Sequence, residues 1–103
     1  MHVTEQNFDE TLVATEGLVM VDFWAAWCGP CRAIAPVLEQ LVEESKGRVT
    51  LTKVNVDENP ELAARYDIRS IPTIVFMKNG TIVDRVIGAV PKAALQAIID
   101  ARA

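Results

Sequence analysis

Cys28 and Cys31 are the only thiols in the chain, three residues apart in Trp27-Cys28-Gly29-Pro30-Cys31. Thiolates attack disulfides and bind soft metals, so the spacing has two chemical uses. Zinc takes about four ligands, whereas the chain offers two cysteines and one distant histidine, His2. No metal site is therefore expected. A disulfide is within reach, because residues i and i+3 at a helix start come close enough to close a small ring. Two inert core cysteines are the structural alternative, since free cysteine is often buried.

The pair lies between an apolar run, Leu18–Ala26, and a segment with helical spacing of Ile34, Leu38, Leu41 and Val42. A helix start carries partial positive charge and free N–H groups, and both favour a thiolate. Pro30 is tolerated there because first-turn N–H groups have no intrahelical partner. Cys28, nearer the loop, is expected to be the more exposed, attacking thiol. Cys31, one turn in, is expected to be the buried thiol that resolves the mixed disulfide.

The elements that must position this pair alternate in type. His2–Thr4 reads as a short edge strand. Asn7 to Thr15 reads as a helix, with Asn7 as cap and Gly17 as stop. Leu18–Ala26, apolar on both alternating faces, reads as a central strand covered on both sides. The helix from Cys31 to Ser45 ends at Gly47, and Arg48–Asp57 is a second interior strand rich in β-branched residues. Asn59-Pro60 starts a helix that reaches Tyr66. Asn79-Gly80 pairs Thr73–Lys78 with Thr81–Val86 as a hairpin, and Pro91 opens a last helix with Leu95, Ile98 and Ile99 as its apolar stripe. The order βαβαβαββα predicts an α/β fold, a three-layer sandwich with a mixed five-stranded sheet and four flanking helices.

Asp22 interrupts the apolar LVMVDFWAA. Burial is costly for a carboxylate and raises its pKa, which makes Asp22 a proton acceptor near neutral pH or, alternatively, a buried group paired for structure alone. Lys53 interrupts the second interior strand. Phe23, Met20, Phe76 and Met77 read as core, and His2 as incidental.

Composition narrows the partners. The chain has 103 residues, ten Lys and Arg against fourteen Asp and Glu, and a net charge of −4. One domain over residues 1–103 is expected. With no basic cluster, nucleic acid is not an expected partner, and no apolar run suits a membrane span. The opening MHVTEQNF has neither the basic nor the apolar region of a secretory signal, so a cytoplasmic location is expected.

FWAAWCGPC, the later Ser70-Ile71-Pro72-Thr73, and the Asn-Gly hairpin followed by Gly88 resemble the thioredoxin family over essentially the whole chain. The resemblance implies a thioredoxin fold and a protein disulfide reductase. It implies that Asp22 deprotonates Cys31 through water and that Lys53 tunes Asp22, a solvated lysine being the alternative. It implies a cis Ile71–Pro72 bond, where sequence alone favours trans. Pro72 would face the cysteines, and the Ile71 backbone would pair with an extended substrate segment. Trp27, Gly29, Pro30, Ile71, Pro72, Thr73, Ile87, Gly88 and Ala89 would form the substrate-docking face, with core the alternative for Ile87. Electrons would come from NADPH through a flavoprotein thioredoxin reductase, with no bound cofactor, and the protein would act as a monomer. Ala26, Arg32, Asp67, Ser70 and Pro91 depart from the pattern. Fewer glycines would stabilise the chain where native dihedrals permit.

Two rival functions remain at this stage. An oxidase or isomerase of the same fold would run the exchange in the other direction. The Gly-Pro between the cysteines resembles the reducing members. A binding or assembly module would use the docking face and not the thiols.

Overall fold

A computed structural model describes all 103 residues. Its elements are α1 (Phe8–Ala14), β1 (Leu18–Trp24), α2 (Gly29–Glu44), β2 (Val49–Asn55), α3 (Pro60–Arg65), β3 (Thr73–Lys78), β4 (Thr81–Ile87) and α4 (Lys92–Arg102). The sheet runs β2-β1-β3-β4. β1 pairs parallel with β2 and antiparallel with β3, and β3 pairs antiparallel with β4.

β1 is apolar on both alternating faces because both are covered. Val19, Val21 and Phe23 pack with Phe8, Leu12 and Leu62 of α1 and α3. Leu18 and Met20 pack on the other face with Ile34, Leu38 and Leu41 of α2 and Leu95 and Ile99 of α4. Each fully buried large side chain is worth roughly 1.5–3 kcal/mol. Parity places Asp22 and Trp24 on the α2 face. Beyond the C-terminal end of β1, Ala25, Cys28 and Cys31 form a third small cluster, with Trp24, Val56 and Ile71 against it.

The hairpin turn is built as its residues require. Asn79 and Gly80 both have positive φ, 54° and 77°, as a two-residue type I′ turn demands. The β3–β4 register then shifts: Phe76 lies opposite Asp84 but Met77 lies opposite Ile82. Val83 is the extra residue, so the bulge is in β4.

The sheet has four strands, not the expected five. His2 makes only an isolated bridge to Lys53, held by Val3 N–H to Lys53 C=O at 2.9 Å and Lys53 N–H to Met1 C=O at 2.6 Å. The chain then turns away, and Thr4 N–H donates to Asn7 Oδ1 at 2.8 Å. That bond also occupies the side chain expected to cap α1, and Asn7 makes no such cap. Nor does Asn59 cap α3. Its Oδ1 accepts from Glu5 N–H at 3.0 Å, while the Glu5 carboxylate accepts from Glu61 N–H at 2.6 Å and Leu62 N–H at 3.3 Å. A residue more than fifty positions upstream therefore supplies the cap.

Candidate active site

α2 begins at Gly29, two residues before the expected start, because Cys28 is itself the N-cap. Its Sγ accepts from Cys31 N–H at 3.1 Å. The two cysteines are joined as a disulfide with a Cα–Cα distance of 5.3 Å, inside the normal range. When the bond opens, the same N–H group and the helix N-terminus favour negative charge on Cys28. Arg32 Nη1 donates to Ala26 C=O at 2.8 Å and ties the loop to the first turn.

The sulfurs do not differ in exposure as expected. Cys28 and Cys31 are each 3% exposed, because both belong to the small cluster beneath Trp24 and Ile71. They differ in what they face. Cys28 Sγ lies 3.9 Å from the Ile71 carbonyl oxygen, next to the cis Ile71–Pro72 bond. Cys31 lines a cleft on the α2 face of the sheet.

That cleft holds about 280 Å³ and is lined by His2, Asp22, Trp24, Cys31, Arg32, Ala35 and Lys53. Asp22 is only 2% exposed, and its Oδ1 has no protein partner. Burial pushes its pKa up to about 6, against the pull of Lys53. Lys53 stands opposite Asp22 in the β1–β2 register. Its ammonium pairs with Glu39 Oε1 at 3.6 Å. The cleft is roomy and polar enough for water, so Asp22 and Cys31 can exchange a proton without direct contact.

Around the disulfide lies a partly apolar face. Trp27 is 68% exposed, with its indole N–H donating to Asp57 Oδ2 at 2.8 Å. Ile87 is 61% exposed and so is not core, and Gly29, Pro30 and Ala89 are exposed as well. Ile71 is half-buried and Pro72 buried. Gly88 adopts φ 92°, and its N–H donates to Pro72 C=O at 2.8 Å. Thr73 is not on this face. It is 2% exposed, and its hydroxyl donates to Ser70 C=O at 2.6 Å, which holds the loop before Pro72. An apolar groove of about 290 Å³ continues from Trp27 past Val56, Ala63, Ile68 and Ile71, with Arg69 at its rim.

Comparison with known proteins agrees with this geometry. A family model described as Thioredoxin matches residues 1–101. The chain belongs to the thioredoxin family. A chloroplastic M-type thioredoxin of Pisum sativum is 53% identical over 93 residues, covering 90% of this chain and 54% of that protein. A thioredoxin of Chlorobaculum thiosulfatiphilum is 46% identical over 97 residues, covering 94% of this chain and 90% of its own length. Thioredoxin 1 of a Nostoc species is 46% identical over 98 residues, covering 95% and 92%. The chain thus spans about half of the plant relative and most of the other two. Thioredoxins are thiol–disulfide oxidoreductases that carry electrons on a redox-active disulfide without a prosthetic group, and the joined Cys28–Cys31 pair fits that chemistry. No three His, Cys, Asp or Glu side chains gather as a metal site, and no helix is long and apolar enough to cross a membrane.

Three residues at or behind this thioredoxin site were not legible in the sequence. His2, read there as incidental, lines the Asp22 cleft. Asp57 holds the Trp27 indole, and Glu5 caps α3, which carries part of the groove beside Trp27. All three act over long sequence separations, where no local pattern signals a contact.

Proposed function

We propose that this thioredoxin reduces disulfides in other proteins. The observation that carries the reading is the unlike setting of the two sulfurs: Cys28 caps a helix beside Ile71, and Cys31 opens onto the cleft of a buried carboxylate. Cys28 thiolate attacks one sulfur of the substrate disulfide, forming a mixed disulfide and releasing the other sulfur as a thiolate. Asp22 takes the Cys31 proton through water. Cys31 thiolate then attacks Cys28 Sγ, closing the intramolecular disulfide and expelling the second substrate sulfur. Two electrons pass from the dithiol to the substrate. Lys53 keeps Asp22 ionisable near neutral pH. Trp27, Gly29, Pro30, Ile71, Pro72, Ile87, Gly88 and Ala89 receive the substrate, with the Ile71 backbone pairing to an extended segment.

In this reading one domain acts as a monomer. A thioredoxin reductase using NADPH regenerates the dithiol, in keeping with the family's general recycling route. The cytoplasm is the proposed compartment by analogy with the Chlorobaculum and Nostoc relatives, while the plant relatives are chloroplastic. The test pairs an equilibrium titration of Cys28–Cys31 against thiol–disulfide buffers with a Cys31→Ser trap. A strongly reducing couple and a substrate trapped on Cys28 are expected. An oxidising couple would replace this reading with an oxidase or isomerase. Full cellular activity of a Cys28→Ser, Cys31→Ser variant would replace it with a binding module.

A further inference from the structure

The Asp22 cleft is lined by seven residues, and their chemistry limits where a proton can go. Asp22 takes a proton from Cys31 in the resolving step, and exchange of that proton with solvent needs a route out of the cleft. Ala35 has no polar side-chain atom, and the Trp24 indole is a donor only. Lys53 and Arg32 are cations without an acceptor, engaged by Glu39 and by the Ala26 carbonyl respectively. Imidazole alone among the remaining side chains can accept a proton on one nitrogen and release one from the other.

His2 is held at that place by the backbone. Residues on either side of it bond one residue, Lys53: the Met1 carbonyl accepts from its N–H, and the Val3 N–H donates to its carbonyl. Lys53 is the register partner of Asp22. The His2 ring stands edge-on to Trp24, with centroids 5.8 Å apart and planes at 69°. His2 is exposed whereas Asp22 is buried, and both line the same cleft, so the histidine gives that cleft a side chain in contact with bulk solvent.

We propose that His2 is the outer relay of the Asp22 cleft, passing between Asp22 and solvent the proton that Cys31 releases. The inference rests on the reductase reading above. In the resolving step the Cys31 S–H bond breaks and Asp22 gains the proton. As Asp22 returns to carboxylate, water in the cleft delivers that proton to one His2 nitrogen, and the other nitrogen releases one to solvent. No electrons move in the relay. His2 acts through Asp22 and touches no substrate, so it is a positioning residue. The charged and titratable groups around Asp22 are Lys53 from β2, Cys31 and Arg32 from α2, and His2 from the N-terminal segment, with Glu39 of α2 paired to the lysine.

The test uses the full chain and two variants. His2→Gln keeps a polar side chain without proton exchange, and His2→Phe keeps a ring against Trp24. Single-turnover reduction of a small disulfide-bonded protein is followed by tryptophan fluorescence across pH, in weak buffer and with added imidazole. General acid–base groups contribute about a hundredfold or more when they act directly, and a solvent-bypassed relay contributes less, so both variants are expected to be slowed about threefold to tenfold in weak buffer. Imidazole should restore them and leave the parent unchanged. Parent-like rates for both variants overturn the relay. So does a loss equal at all pH values and deaf to imidazole, or a normal rate in His2→Phe alone, since either makes the role one of packing. If the parent itself reduces no disulfide, the reductase reading falls, and the relay with it.

Discussion

Asp22 and Lys53 face one another across the parallel β1–β2 ladder, yet the lysine ammonium is paired with Glu39 at 3.6 Å. Its charge reaches Asp22 through space and only partly offsets burial, which leaves the carboxyl at about 6 against an ordinary 3.8. The buried acid is therefore a cost to the fold whose size depends on pH.

Below the ordinary value both folded and unfolded chains hold this proton. Between 3.8 and about 6 the unfolded chain releases it first, so stability falls as pH rises; above about 6 the loss is complete. The loss is roughly 3 kcal/mol at about 1.4 kcal/mol per pH unit. Asp22→Asn never ionises and should exceed the parent by about 2–3 kcal/mol at about pH 7.5, with the gap closing by about pH 3.5. Urea unfolding of the oxidised proteins at both pH values checks this. A gap that does not change with pH would show that Asp22 is not held above its ordinary range.

Lys53→Met should move the Asp22 titration upward, since the attraction that lowers it is removed. The resolving step would then need a higher pH to reach its plateau. Infrared titration of the carboxyl band in parent and variant measures the shift, and a downward move would contradict the assignment of Lys53.

Glu5→Ala leaves the Glu61 and Leu62 amides at the start of α3 without their acceptor. Loss of a cap costs about 1 kcal/mol. Faster hydrogen exchange should be confined to the first turn of α3 and the adjoining loop. Unchanged exchange there would mean that water caps the helix equally well.

At Asp67, one of the positions that depart from the family pattern, the native dihedrals do not meet the condition for a stabilising loss of glycine. Its φ is 55°, in the left-handed region that favours glycine, and its side chain makes only the exposed pair with Arg69 at 3.0 Å. Asp67→Gly should stabilise the fold by about 0.5–1 kcal/mol, relief of backbone strain outweighing the freer unfolded chain. Thermal unfolding decides it, and a lowered midpoint would reverse the balance.

What was legible in the sequence was local or strongly periodic. β1 showed itself because both of its faces are buried, and the β3–β4 hairpin because Asn79 and Gly80 suit positive φ. The cysteine pair stood out because its chemistry lies within four residues. Long-range contacts were hidden: Asn59 reads as a cap until Glu5 takes that role from the other end of the chain. His2 looks incidental until Lys53 bonds the residues on either side of it. Thr73 shares a motif with Ile71 and Pro72, but it is the first residue of β3, an interior strand buried on both faces. The equal burial of the two sulfurs arises from packing under Trp24 and Ile71, which no local spacing encodes.

The bulge at Val83 has a consequence for how the molecule meets others of its kind. β4 is an outer strand, and its far side offers unpaired N–H and C=O groups, the template on which sheets join and aggregates grow. One extra residue breaks the hydrogen-bonding repeat and sharpens the twist, and Asp84 and Arg85 set charge beside the break. Two copies cannot lie flat along this border for its full length. Extended polypeptide is thereby discouraged from settling on this rim of the sheet.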